Sequence, residues 1–522
     1  LLHPEKTVEG LVKLDQLMSG LPDGYWKAQK KKEVQELIVQ CSGLFMDITT
    51  AEQFAVQTDS LRFNFAFNNR LGSSISLEKI ILDQFDSSFT RQLEKNRNFG
   101  FSKTLYIPAN KPITQPYWLE KKMKEGYFDV TNQLLIGQPN VNTAFNAFIH
   151  LNIYGEGYIM ARPVRYKFTD PVKGELYQPL VVVPPVLLEP DNTTKISKNN
   201  NQFEGTLTLT GKKKGFQTFF DGVGKEQPDE VKVTYSPDKI FFDEKNKSIP
   251  VNYSIQATRD NDYHFAVDAN NGRKDLYFVG MKEIRYDHVP YITYFNRATV
   301  RNERLDLKTY GKKIGYITGA GDKVPESLEQ MGYEVVLLGN KELAKNNLGQ
   351  FDAIITGVRA YNTHDWMNKY YDKLMKYVQE GGNLIVQYNT SNNIGPVRAK
   401  IGPFPFNITR TRVTDETVAV NILKPEHPVF NFPNKIVADD FQGWIQERSI
   451  YHGADTSGKF EKLISMADPG EKADDGSLLV ARYGKGWFTY TGLVFFRELP
   501  AGVPGAFRLI ANLIALNKKK GF

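Results

Sequence analysis

Nine residues in the C-terminal part of the chain have the types that hold ligands or move protons: Asp322, Arg359, Tyr361, Asn362, Asn389, Glu447, His452, Arg497 and Glu498. An arginine grips a carboxylate or phosphate through two parallel N–H bonds, which makes Arg359 and Arg497 candidate anion ligands. Glu447 with His452 is a candidate acid/base pair, because imidazole titrates near neutrality and can exchange a proton with a neighbouring group. Taken singly, each residue reads more simply as a salt bridge or a turn residue holding a long loop. As a set they gain weight from position. Most follow short apolar runs of strand type, and in a wound parallel sheet ligands sit beyond the carboxyl ends of the strands. The nine are therefore read as a candidate ligand-binding rim, with no catalytic residue and no metal ligand assigned.

Complete catalytic motifs are missing. Gly319-Ala320-Gly321-Asp322 follows a strand, but Val324 stands where Gly-x-Gly-x-x-Gly needs its third glycine, and no Walker spacing follows. It reads as a tight turn. A nucleophile elbow needs Ser or Cys between small residues on a sharp strand-to-helix turn. The run Tyr388-Asn389-Thr390-Ser391, after the strand Asn383 to Gln387, has no Gly-x-Ser-x-Gly pattern, and the single cysteine, Cys41, is remote. No two histidines have the i, i+4 spacing of a helical zinc motif. His3-Pro4-Glu5 lacks both aspartates of a His-Pro-Asp-Asp metal motif.

The elements that must position the rim follow from composition and periodicity. A length of 522 residues implies three or four domains. Hydrophobic residues at 41% and charged residues at 24% describe an ordinary core-forming chain. A net charge of +7 is small for this length and argues against a nucleic-acid partner. One cysteine excludes an intramolecular disulfide. No apolar run approaches the roughly 18 residues of a membrane helix, so no membrane span is expected. The start, Leu1-Leu2-His3-Pro4, has neither initiator Met nor signal and is read as cut from a longer polypeptide.

Helical spacing runs from residue 5 to 47. Val8, Leu11, Val12 and Met18 form one stripe, and Trp26, Val34, Leu37, Ile38 and Cys41 another, with Lys27 and Lys30 to Lys32 on a solvated face. From about 50 the period becomes two, as Leu61, Phe63, Phe65 and Phe67 alternate with polar or small residues. Val181 to Val186, broken by Pro184 and Pro185, marks a boundary. From about 310, apolar strands alternate with helices, which implies a parallel sheet with right-handed crossovers. The expected fold class is multidomain, β plus α/β. It comprises a helical hairpin linker (1–48), two antiparallel β-sandwiches (49–180 and 181–305) and a flavodoxin-like parallel α/β domain (306–522).

Several runs together resemble a known family. They are Leu21-Pro22-Asp23-Gly24-Tyr25-Trp26-Lys27, Asp170-Pro171-Val172-Lys173-Gly174-Glu175, Tyr286-Asp287-His288-Val289-Pro290-Tyr291, Gly357-Val358-Arg359-Ala360-Tyr361-Asn362-Thr363-His364, and Phe496-Arg497-Glu498-Leu499-Pro500-Ala501-Gly502-Val503-Pro504-Gly505. The chain resembles the region downstream of the catalytic domain in large bacterial PIG-L (LmbE-like) deacetylase polypeptides of Bacteroidetes type, nearly throughout its length. In that family an N-terminal zinc domain with the His-Pro-Asp-Asp motif removes acetyl from N-acetylglucosamine-type groups. The resemblance implies that zinc belongs to that missing domain, and that this segment is an accessory region ending in a class I glutamine amidotransferase-like domain without its nucleophile. It further implies the deacetylase domain as partner, a glycan as ligand, and a periplasmic or secreted location. The alternatives are a divergent hydrolase acting at the rim through Glu447 or His452, and a structural oligomerisation module.

Overall fold

In the computed structural model the described residues are 2–138, 143–198, 202–220, 232–256, 261–268 and 276–518. The architecture is predominantly β, built from several separate sheets with few helices.

The chain opens with two helices, Val8–Ser19 and Tyr25–Ser42, packed as a hairpin. Val8, Val12, Val34 and Ile38 are buried against the first pair of sheets. The second helix stops before the expected residue 47. Gly43 takes a left-handed φ of 60° and its N–H returns to the Gln40 carbonyl, a common helix stop. Leu44–Thr50 is therefore strand rather than helix. Trp26, expected on the core stripe, is 71% exposed and meets Tyr25 edge-on in the first helical turn. The lysine face is not simply solvated either. Lys27 donates to the carbonyls of Ser19 and Leu21, and Lys31 pairs with Asp15 at 3.0 Å, so both stitch the hairpin.

A five-stranded sheet and a four-stranded sheet share the next core. The first runs in the order Gly174–Pro179, Arg165–Asp170, Leu44–Thr50, Ser60–Asn69, Asn98–Tyr106; the second runs Phe85–Gln92, Ile75–Leu82, Asn146–Ile153, Glu156–Pro163. The period-two reading holds here: Leu61, Phe63, Phe65 and Phe67 all face the core with Ile80, Ile149 and Leu151. At Pro184-Pro185 the chain changes sheets. Val181–Val183 pairs in parallel with Phe54–Val56, whereas Val186–Pro190 joins Gln202–Gly211 in the next block. That block has its own core around Leu207, Phe242, Val251 and Tyr263.

The last sheet has seven strands, in the order Glu334–Leu337, Lys313–Ile317, Ala353–Thr356, Asn383–Gln387, Gly486–Thr491, Leu478–Tyr483, Glu461–Lys462. The first five are parallel, and the last two turn antiparallel. Parallel strands buried on both faces read as continuous apolar runs, and alternate residues serve opposite sides. Ile355 packs with the helices Val324–Gln330 and Pro504–Ala515, while its neighbour Ile354 packs with Tyr371–Gln379. Among the described residues no helix is long and apolar enough to cross a membrane.

Candidate functional site

The parallel strands deliver their carboxyl ends to one edge of this sheet. There Ala353–Thr356 passes through Gly357 and Val358 to Arg359, which opens the short helix Ala360–Thr363. Arg359 holds a φ of 60°, and its N–H donates to the Tyr388 carbonyl at 2.8 Å. Tyr388 directly follows the neighbouring strand Asn383–Gln387. Its ring lies 5.5 Å from those of both Tyr451 and Phe496. The Arg497 guanidinium sits 4.9 Å over Phe496 and donates from Nε to Glu447 at 3.0 Å and from Nη1 to the side-chain oxygen of Gln446. Burial raises the Tyr388 phenol above its ordinary pKa, while Arg359 and Arg497 pull it back. Two cations, a carboxylate and two other half-buried aromatic rings thus meet around the Tyr388 phenol.

Three of the eight non-glycine residues with positive φ among the described residues lie at the same place. Arg359, Gln446 and Tyr451 all have positive φ, at 60°, 68° and 52°. None is glycine, and left-handed conformations in such residues collect where structure serves a ligand or a switch. Arg359 is exposed, and among the described residues its guanidinium has no carboxylate partner.

The nine rim residues are divided by the fold. Arg359, Glu447 and Arg497 converge on Tyr388. Asp322 serves the first turn: it accepts from the Tyr316 hydroxyl at 2.6 Å and from the Val324 N–H at 3.1 Å. Asn362 bridges to the carbonyls of Ser391 and Asn393, and Asn389, fully buried, accepts from the Tyr361 N–H at 3.0 Å. Tyr361 lies in the core at 1% exposure. These three fasten the loops behind the rim, Tyr361 and Asn389 from the interior and Asn362 from a half-buried position. Glu498 is also fully buried, and both its oxygens face the Ile445 N–H. Burial pushes its carboxyl up to about 8 against the pull of that N–H and of Arg448.

Glu447 and His452 are not partners. Glu447 pairs with Arg497, whereas His452 lies between Ser449 and Asp474. The imidazole Nε2 is 2.7 Å from the Ser449 hydroxyl, and Nδ1 is 2.5 Å from the Asp474 carboxylate. The bond to His452 is the largest influence holding the Asp474 carboxyl below its ordinary value. Serine, histidine and aspartate in this order form the geometry that activates a hydroxyl. Ser449, however, is sealed at 0% exposure on a short strand paired with Arg412–Val413, and His452 is at 1%. A hydroxyl that no solvent atom touches cannot meet a substrate in this arrangement, and the array pins the segment 449–452 to Asp474.

The strained strand-to-helix turn follows Ala353–Thr356 and carries Arg359. Sequence reasoning missed Tyr451, Phe496, Gln446, Ser449 and Asp474. Only Ser449 and His452 are close in sequence, and no motif marks Asp474 as their third member. Among the described residues no group of three or more His, Cys, Asp or Glu is arranged to hold a metal ion.

No protein-family model matches the chain, and no curated protein matches it. Among solved structures it is similar to red sea bream transglutaminase over 54% of its length at 10% identity, with a TM-score of 0.23, spanning only 34% of that protein. It is similar to the secreted serine protease VesC from Vibrio cholerae over 44% of its length and 49% of that chain, at 11% identity and a TM-score of 0.15. Domains 4 and 5 of the S-layer protein SbsC are covered to 98% by 43% of this chain, at 9% identity and a TM-score of 0.12. Scores this low carry no argument about fold or function.

Proposed function

We propose that this chain is a non-catalytic, glycan-binding accessory region of a PIG-L-type deacetylase polypeptide, acting outside the cytoplasm beside a separate zinc-bearing catalytic domain. Its β-rich blocks hold the last sheet at a fixed distance from that partner. The last sheet is read as a flavodoxin-like α/β domain, because its five parallel strands follow the order 2-1-3-4-5 of that class. The observation that carries the binding reading is Arg359: an unpaired, exposed cation held in a strained turn beside Tyr388. Sugar rings stack on aromatic faces, and an arginine supplies bidentate hydrogen bonds to hydroxyl, acetamido or carboxylate oxygens.

Calorimetric titration with N-acetylglucosamine oligomers tests this reading. Binding by the wild-type chain that weakens at least tenfold in Arg359→Gln and Tyr388→Ala is expected. Turnover of those oligomers by this chain alone, or equal binding by both variants, would overturn it.

The rival is a hydrolase, and the Ser449–His452–Asp474 array is the feature that favours it. Covalent labelling of Ser449 by a fluorophosphonate probe would replace the binding reading with this one.

A further inference from the structure

A cavity opens on the face of the last sheet that carries the helix Tyr371–Gln379. It encloses about 470 Å³ between that helix and the segment 398–406, within the roughly 300–1,000 Å³ typical of small-molecule sites. Its walls are Tyr371, Phe404 and the prolines on either side of Phe404. The wall is braced from behind: Phe404 meets Phe460 and Tyr483 edge-on, and the Tyr371 hydroxyl donates to the Gly402 carbonyl at 3.2 Å. An aromatic surface held this way presents a fixed apolar face without the entropy cost of ordering it on binding.

The charge at the mouth has one sign. Residues 381–414 contain no Asp or Glu and four cations, Arg398, Lys400, Arg410 and Arg412. Arg398 and Lys400 line the cavity and are exposed, while Ala399 between them is buried. Lys400 extends over the Tyr371 ring, 5.6 Å from its centroid, and makes no ion pair among the described residues. Arg398 is tied only to the neutral side chain of Asn407. Asp372, beside Tyr371, is the acid whose charge reaches this wall. Two cations over a braced aromatic surface complement a ring whose one face is apolar and whose edge carries an anion.

We propose that this cavity binds a carboxylated pyranose, the chemistry of a uronic-acid unit in an acidic glycan. The ring stacks on Tyr371 and Phe404, and the carboxylate is taken by Arg398 and Lys400. The site is separate from the Arg359–Tyr388 cluster and stands or falls without it.

The probes are trigalacturonate, neutral maltotriose and acetate, each titrated calorimetrically into the full chain. Trigalacturonate is expected to bind at least tenfold more tightly than maltotriose or acetate and to weaken as salt rises. Arg398→Gln and Lys400→Gln should each weaken it about tenfold, and Phe404→Ala should do the same. Since Phe404→Ala disturbs packing, the two surface charge variants decide the matter, with an unchanged melting curve as control. Acetate binding as tightly as trigalacturonate would reduce the site to bare charge and overturn the proposal. So would no measurable trigalacturonate binding, or binding that ignores both charge variants. Loss of binding in Arg359→Gln alone would assign acidic-glycan binding to the other cluster.

Discussion

The N–H of Arg359 donates to the carbonyl of Tyr388 across two parallel strand ends, 2.8 Å apart. That bond ties the turn leaving one strand to the residue just past the end of the next and holds an arginine in left-handed conformation. Such a conformation costs about 1–3 kcal/mol in a non-glycine residue.

Arg359→Gly should remove the strain, less about 0.5–1 kcal/mol for the greater freedom of glycine in the unfolded chain. The unfolding free energy from urea titration is expected to stay level or rise by up to about 2.5 kcal/mol, while glycan binding is lost. Arg359→Val, which tolerates positive φ poorly, should lose about 1–2 kcal/mol. A glycine variant less stable than wild type by more than that would mean the guanidinium supports the fold instead of a ligand.

His452→Ala leaves the buried Ser449 hydroxyl without its partner and takes one of the partners of the half-exposed Asp474 carboxylate. A loss of about 2–3 kcal/mol is expected, with a smaller loss for Ser449→Ala. The pH dependence of this array follows from Asp474. Its folded pKa lies below the unfolded value near 3.8, so its contribution is full above that value and disappears as pH falls through the folded one. Asp474→Asn should flatten the acid limb of the stability curve below about pH 4. An unchanged acid limb would show that this bond contributes nothing to folding.

Glu498 acts in the opposite sense. Its folded carboxyl titrates at about 8 against an ordinary 4.5, so the folded state binds more protons between those values. Stability should fall as pH rises from about 4.5 to about 8. Glu498→Gln is expected to remove that fall and to gain of order 2 kcal/mol over wild type at pH 8.5. Denaturant titrations of both proteins at pH 5 and pH 8.5 measure it; parallel losses in the two would refute the assignment.

The two glycines after the first parallel strand should respond unequally. A Cβ at Gly319 would lie 2.0 Å from the Val358 carbonyl oxygen, whereas one at Gly321 would meet open space at a φ of 102°. Gly319→Ala should destabilise by about 3 kcal/mol or more, because backbone must move. Gly321→Ala should cost about 1 kcal/mol from strain alone. Thermal melts of the two variants give the comparison. Equal losses would mean that the turn relaxes freely around either position.

What could be read from the sequence was what depends on near neighbours. Alternation placed Leu61, Phe63, Phe65 and Phe67 on one face, and unbroken apolar runs such as Ala353–Thr356 marked strands covered on both sides. Gly381-Gly382 was legible as the stop of the helix Tyr371–Gln379. The early end of the second helix was harder, because Leu44 to Ile48 continues an apolar pattern that a helix could also use. The partners of Glu447 and His452 were out of reach. Arg497 is 50 residues from Glu447, Asp474 is 22 from His452, and irregular loops lie between. Local strain was equally hidden, since Arg, Gln and Tyr give no hint of positive φ by their type.

One strand, Thr299–Leu305, belongs to two interiors. Val300 is buried with the second β-rich block, and Leu305, five residues on, is buried with the final sheet. The junction is thus anchored in both cores within a single strand, so a substitution that loosens either end of Thr299–Leu305 disturbs the block on that side.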